Sequence, residues 1–416
     1  MPQIPSSVVP NFSDQPAPKS IQLSVALDGA GWHPAAWREP GARPADLFTS
    51  AYWADLAFEA ERGLLDFITI EDSLGLQSEH FGTGADHRTD QVRGRLDAAL
   101  LASALGPITS SIGLIPTVTT THTEPFHVSK TIASLDYASN GRAGWRVQVS
   151  SRRHESEHFG RRDIPEIDRK WARTEHGRRV IGELFDEAAD AIEVVRRLWD
   201  SWESDAEIRD AETGRFIDRD KLHYIEFEGD HFSVKGPSIT PRPPQGQPVV
   251  TALAHAPIPY QLAARGADLV FITPQTIDDI PHLVAQVRDA ERLVNRTGTP
   301  LLIHADLLVL LNETQRGATE RLARLNASDG TDLRSDAAIV ATTPQQLADQ
   351  LVEWSAAGLD GFRLRPAVLP DDLRAITRGV VPALQRAGLF RAGYEQDTLR
   401  QRLGLPEAVN RYAAIA

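Results

Sequence analysis

Polar side chains stand at the ends of several short apolar runs in this chain, and their types define the chemistry on offer. His33 follows the glycine-rich turn Asp28-Gly29-Ala30-Gly31-Trp32. An imidazole, with an unperturbed pKa of about 6.5, can give or take a proton at neutral pH; the plainer alternative is a loop histidine bonded to backbone. His122 ends the hydroxyl-rich run Thr117, Thr119, Thr120 and Thr121 and is a second candidate for proton transfer. Threonines are also good strand formers, so this run has a purely structural account as well. Asp72, after Phe67-Ile68-Thr69-Ile70-Glu71, can either meet a ligand or cap the helix or turn that follows. Arg146, inside the alternating segment Gly144 to Ser150, is a permanent cation that only donates hydrogen bonds; it can hold an anionic group or pair with Glu71 or Asp72. At Ala254-His255-Ala256-Pro257 a helical pattern begins, and the backbone N–H groups of His255 and Ala256 can grip an anion there.

Other chemistries are absent. The chain has no cysteine, which removes disulfides, thiolate ligands and a cysteine nucleophile. His154, Glu157 and His158 lie in HESEH, which is not the HExxH zinc pattern, and no metal site is expected. No GxGxxG follows a strand, so a dinucleotide fold is not indicated. A formal charge of -13 disfavours nucleic acid and anionic membranes as partners. No apolar run approaches the ~20 residues needed to cross a bilayer, and the first residues lack a basic start followed by a hydrophobic stretch, so a cytoplasmic protein is expected.

These residues need a scaffold that brings them together. β-rich runs at Gln22-Leu27, Phe67-Ile70, Ser111-Ile115, Gly144-Val149, Pro248-Ala252, Leu269-Ile272, Leu302-Leu310 and Gly361-Leu364 alternate with helical patterns. The helices are expected around Leu47-Arg62, Leu96-Leu105, Pro125-Ala138, Leu184-Trp202, Pro259-Arg265, Ile280-Asn295, Pro344-Ala357 and Asp371-Ala387. Such alternation calls for parallel strands with helical crossovers, and closing the sheet removes its edges, so the expected fold is α/β, a (β/α)8 TIM barrel. Residues 1–20, rich in proline and serine, form an expected flexible arm; 21–388 make the barrel; 389–416 form an extended C-terminal segment. Intervals near 151–182, 203–247 and 312–339 exceed ordinary connections and are expected as insertions near the C-terminal mouth, the third as a mobile cover or a loop with a short helix. The closing segment can pack on its own chain or across a neighbouring subunit.

Several longer stretches carry a resemblance. GAGWHPAAWREP (29–40), AERGLLDFITIEDS (60–73), SSIGLIPTVTTTHTEPFH (110–127), NGRAGWRVQVS (140–150), EVVRRLWDSW (193–202), HFSVKGPSITPRPPQGQPVV (231–250) and DGFRLRP (360–366) occur in this order. Together they resemble the flavin-dependent monooxygenases of the bacterial luciferase superfamily, in the class with nitrilotriacetate, dibenzothiophene-sulfone and long-chain alkane monooxygenases. The resemblance implies FMN, delivered as FMNH2 by a separate NAD(P)H:flavin reductase, with O2 and a small organic substrate as the other reactants. It further implies a homodimer or homotetramer. His33 and His122 then become the candidate catalytic residues, and Asp72, Thr117, Thr119, Thr120, Arg146, Ser150, His255 and Ala256 the candidate cofactor contacts. Trp32, Trp37, Phe81 and Trp145 are candidate apolar walls, with ordinary packing as the alternative.

Three positions depart from the family's pattern. Arg146 stands where the family has asparagine, Ala254-His255-Ala256 where it has the phosphate-holding Gly-Ser-Ser, and Leu184-Phe185 where it has Arg-Tyr. Trp32 and His122 also replace a histidine and a tyrosine. The departures keep two other functions open: a flavin- or deazaflavin-dependent dehydrogenase or reductase, and a barrel that has lost cofactor affinity and acts as a binding protein.

Overall fold

The protein, seen as a computed structural model, is described over residues 20–77, 87–167 and 170–413. The expected N-terminal arm, apart from Ser20, and Phe81 lie outside the described residues. Eight parallel strands form the barrel: β1 Gln22–Leu27, β2 Phe67–Ile70, β3 Gly113–Thr119, β4 Gly144–Gln148, β5 Val249–Leu253, β6 Leu269–Ile272, β7 Leu302–Leu311 and β8 Gly361–Pro366. Each pairs with its sequence neighbours, and β8 returns to β1 with Gln22 opposite Gly361, which closes the sheet. The helices are α1 Ser50–Arg62, α2 Ala98–Leu105, α3 Pro125–Ala138, α4 Glu175–Asp200, α5 Pro257–Gly266, α6 Asp279–Leu293 and α7 Pro344–Ala356. The last rod, α8, is helical over Asp371–Ala375, widens to a π turn over Ile376–Val380 and continues as Val381–Arg386. Pro382 has no N–H to return to the preceding turn, which accounts for the irregularity there.

The two-residue period of the strands divides the interior from the outer core. Leu23, Val25, Trp145, Val147, Val250, Ala252, Phe362 and Leu364 face outward into the main core beneath the helices. Trp145 is therefore a packing residue of that layer, its Nε1–H donating to Val118 O at 3.1 Å, and not a wall of the mouth. On the inner face, Phe67, Ile115, Val249, Leu269 and Phe271 fill the N-terminal half of the barrel, where Leu399, Leu403 and Leu405 join them. The C-terminal segment thus plugs the bottom of its own barrel, fastened by Gln22 Nε2–H to Leu403 O at 3.0 Å and by Arg402 to Asp66 O at 2.9 Å. Truncating Leu399 to Ala opens a cavity in this small core. A loss of about 2–5 kcal/mol is expected, read from urea unfolding; a change within about 0.5 kcal/mol would mean that the plug does not support the barrel.

The insertions differ from expectation in position and in order. The segment 203–247 joins α4 to β5 and so leaves from the N-terminal end of the barrel. Arg242 there bonds Asp200 and Ala408 O, while Gln245 bonds Asp136. Only its turn at His231 and Phe232 climbs beside Thr120–Pro125. The third interval is no loop: it holds a 15-residue helix, Gln315–Asp329, capped by Thr314, and a strand, Ala338–Thr342, added beside the upper half of β7. No helix among the described residues is long and apolar enough to cross a membrane.

Candidate active site

Above the apolar floor, the inner face changes to charge. Thr69, Thr117, Arg146, Thr251, Asp306 and Arg363 occupy the next inward positions of their strands, with Glu71 just past β2 and Arg365 two residues beyond Arg363. Their side chains form one chain of buried ion pairs. Arg146 Nη1–H donates to Glu71 Oε2 and to Thr117 Oγ1, both at 2.9 Å. The other Glu71 oxygen accepts from Arg363 at 3.2 Å. Asp306 accepts from Arg363 at 2.8 and 2.5 Å and from Arg365 Nε–H at 2.9 Å. Arg365 reaches on to Asp336 at 2.6 Å, and His255 Nδ1 lies 4.0 Å from the same carboxylate. Three arginines alternate with three carboxylates, so the formal charges cancel. The neighbouring guanidinium groups hold the Asp306 and Asp336 carboxyls below the usual range despite burial.

Strand parity explains which acid joins this chain. Phe67, Thr69 and Glu71 share the inward face, whereas Asp72 is one residue out of phase. Asp72 accepts from Ser73 N at 2.8 Å and from Ala98 N, the first residue of α2, at 2.9 Å, which is the capping alternative. Burial pushes the Asp72 carboxyl up to about 6, and burial also brings Asp136 and Asp372 to about 6 from an ordinary 3.8. Between those pH values the native protein binds more protons than the unfolded chain, so the stability tied to these groups is full at low pH and falls as pH rises through 6. The difference in unfolding midpoint between wild type and Asp72→Asn is therefore expected to change between pH 4 and 7 in favour of the variant at the higher pH. A difference that stays flat across this range would refute the shift.

The threonines after β3 mostly stitch strand tips together. Thr120 Oγ1–H donates to Gln148 O at 3.1 Å, Thr121 Oγ1 accepts from Ser150 N at 2.9 Å, and Thr119 is buried beside them. Ser150 Oγ–H in turn donates to Glu155 at 2.5 Å.

The two candidate histidines line different cavities. His33 is 1 % exposed, in a cleft of about 180 Å³ walled by Trp32, Trp37, Gln77, Arg95 and Arg152. Its Nδ1 accepts from Ala35 N at 3.1 Å and its Nε2 meets Asn326 Oδ1 at 3.0 Å, so both nitrogens are engaged and the ring ties the mouth to the Gln315–Asp329 helix. Gly31 makes this turn possible: its φ is 126° and a Cβ there would collide with Ala367 O. Beside it Arg95 grips Asp28 with two bonds at 3.1 and 2.9 Å, and the Arg365 guanidinium lies 4.6 Å over the Trp32 ring. His122 belongs to a second cavity of about 240 Å³ with Phe159, Arg162, Glu187 and His231. It stacks on Phe159 with centroids 4.9 Å apart, its Nε2 is buried without a partner, and burial lowers its pKa, which favours neutral imidazole.

Asp306, Arg363, Arg365 and Asp336 were not among the candidates. FRLRP alternates apolar and basic residues with the period of a strand, which marks one face of β8 as charged; that β7 supplies the opposite charge is not visible from either segment alone.

The fold is that of a (β/α)8-barrel protein with a charged mouth, and comparison with known proteins gives its family. Residues 32–360 match the model of the luciferase-like monooxygenases. The chain belongs to this family and is a monooxygenase of it. It is 32% identical to the N-acetyl-S-(2-succino)cysteine monooxygenase of Bacillus subtilis (strain 168), covering 95% of this chain and 99% of that one. It is 31% identical, with the same coverage, to nitrilotriacetate monooxygenase component A of Aminobacter aminovorans. Among solved structures, long-chain alkane monooxygenase superposes with a TM-score of 0.80 at 25% identity, over 93% of this chain and 96% of that one.

Arg146 Nε, Gln148 Oε1 and Thr251 Oγ1 are buried and have no hydrogen-bond partner. Arg146 and Gln148 share one face of β4, and Thr251 lies opposite Arg146 in the β4–β5 register. A donor, an acceptor and a hydroxyl are thus set side by side, and leaving each unmet costs about 1–3 kcal/mol. The ring edge of an isoalloxazine, with alternating carbonyl and N–H groups, is the kind of partner that satisfies them. The phosphate is served less well: α5 begins with Pro257, and its cap, Ala256, has no side-chain oxygen.

Proposed function

We propose that this chain is the oxygenase component of a two-component system, using FMN, reduced by a separate NAD(P)H:flavin reductase, and O2 to oxygenate a small organic substrate. The observation that carries the reading is the row of unpartnered polar atoms at Arg146, Gln148 and Thr251, on the inner face of a family barrel. When bound, reduced FMN supplies the electrons that activate O2.

The chain's own residues orient and shield. Arg146, pinned by Glu71 and Thr117, presents a cation at the ring edge, and Thr119 borders the same strands. Trp32 and Trp37 form the apolar side of the substrate cleft and keep water from it. His33 holds the mouth loop in place and is the candidate to relay a proton if Asn326 lets go; His122 is the candidate on the far side. The exposed Leu100 and Ile108, on and just after α2, would be covered in a homodimer or homotetramer. A cysteine-free, acidic chain suits the cytoplasm.

The test supplies FMNH2 from a reductase and measures O2 uptake with panels of amino-carboxylates, thioethers and short alkanes. Uptake coupled to product from one panel is expected. Absence of flavin binding in any redox state would remove the reading.

A further inference from the structure

We infer that the flavin's 5′-phosphate adds little to its affinity in this protein, so that riboflavin, with the same ring and ribityl chain, is held nearly as tightly as FMN. The inference rests on the flavin reading above.

A helix N-terminus holds phosphate through the free N–H groups of its first turn. At α5, Pro257 and Pro259 occupy the first and third positions and have no N–H, leaving Ile258 as the one donor of the first turn, with the N–H groups of His255 and Ala256 just ahead of it. Ala256 adds no hydroxyl. Beside this turn stands a carboxylate: Asp336 Oδ2 is 4.0 Å from His255 Nδ1, and Arg365 anchors the same aspartate at 2.6 Å, so it cannot swing away cheaply. A phosphate dianion placed there meets a carboxylate whose cation, Arg365, is already committed to it and to Asp306. On α4, Leu184 and Phe185 offer no donor.

The arginines of the first insertion do not compensate. Arg152 pairs with Glu155 at 3.1 Å, Arg153 with Glu157 at 2.9 Å, Arg161 with Glu124 at 2.7 Å and Arg162 with Glu187 at 2.5 Å. For any of these four, binding a phosphate would mean leaving a carboxylate, an exchange that yields little net energy; Arg173 and Arg178 of the same segment are exposed to solvent, where a phosphate contact contributes little. The ring edge, by contrast, meets polar atoms that have no competing partner. Affinity therefore concentrates on the ring.

Intact protein titrated with FMN and with riboflavin, oxidised and dithionite-reduced, decides the matter through flavin fluorescence and absorbance. Dissociation constants within about threefold of each other are expected. FMN binding about a hundredfold tighter than riboflavin overturns the inference and leaves the flavin reading intact; failure of both to bind overturns that reading and this inference with it. Pro257 is exposed, so Pro257→Ser returns an N–H and a hydroxyl without disturbing the core. In this variant FMN is expected to tighten several-fold while riboflavin is unchanged. An equal change for both flavins would show that the turn does not face a phosphate and would count against the inference.

Discussion

Replacing Asp306 by alanine is expected to destabilise the protein by about 3–5 kcal/mol. The carboxylate is fully buried and accepts from both Arg363 and Arg365. Both guanidinium groups are themselves almost wholly buried, so the substitution leaves two like charges facing each other without their shared counter-ion. Glu71 and Asp336 still neutralise the outer ends of the two arginines, which keeps the effect from being larger. Urea unfolding of wild type and variant measures it. Asp306→Asn retains the shape and one acceptor and is expected to fall between them. A loss below about 1 kcal/mol for Asp306→Ala would show that water or rearrangement replaces the carboxylate, and the buried chain would not be the interior's organising element.

Arg146→Asn is expected to lower affinity for reduced flavin by about 10- to 100-fold and for oxidised flavin by much less. Reduced flavin is anionic near neutral pH, and a charge-assisted hydrogen bond contributes about 1.5–3 kcal/mol, against about 1 for a neutral one. Burial already pulls the Arg146 pKa down to about 10, a sign of how little solvent shares this charge. The midpoint potential of bound flavin should fall in the variant, because the reduced state loses more than the oxidised one. Thermal unfolding, measured in parallel, separates this from damage to the barrel, since Glu71 keeps Arg363 after the substitution. An unchanged ratio of reduced to oxidised affinity would reduce Arg146 to half of a structural ion pair, the alternative that its position beside Glu71 raised from the start.

The sequence alone determined the barrel. Strand ends at Gln22–Leu27, Phe67–Ile70 and Leu269–Ile272 agree with the structure to the residue, and α3 likewise, because apolar period and the Pro125 and Asn140-Gly141 boundaries are local signals. Locality also explains the failures. The Gln315–Asp329 helix is mostly polar, and its stability comes from Ala318, Arg321 and Leu325 packing against a surface that the chain builds elsewhere. Beside Asp72, the acid that the resemblance points to, the pleat counts inward positions from Phe67 and makes Glu71 the acid of the interior; that inference needs only parity, and the signal is present in the segment.

What tertiary structure decided was partnership. Asp306 and Arg363 are 57 residues apart and meet because β7 and β8 are neighbours, and His33 meets Asn326 across 293 residues because an insertion folds back over the mouth. A side chain's type and its inward or outward sense follow from its own strand, through a two-residue period that any short segment reveals. Which charge it neutralises, and whether its nitrogens are engaged or open, depends on the closure of the whole sheet, and no single segment contains that information.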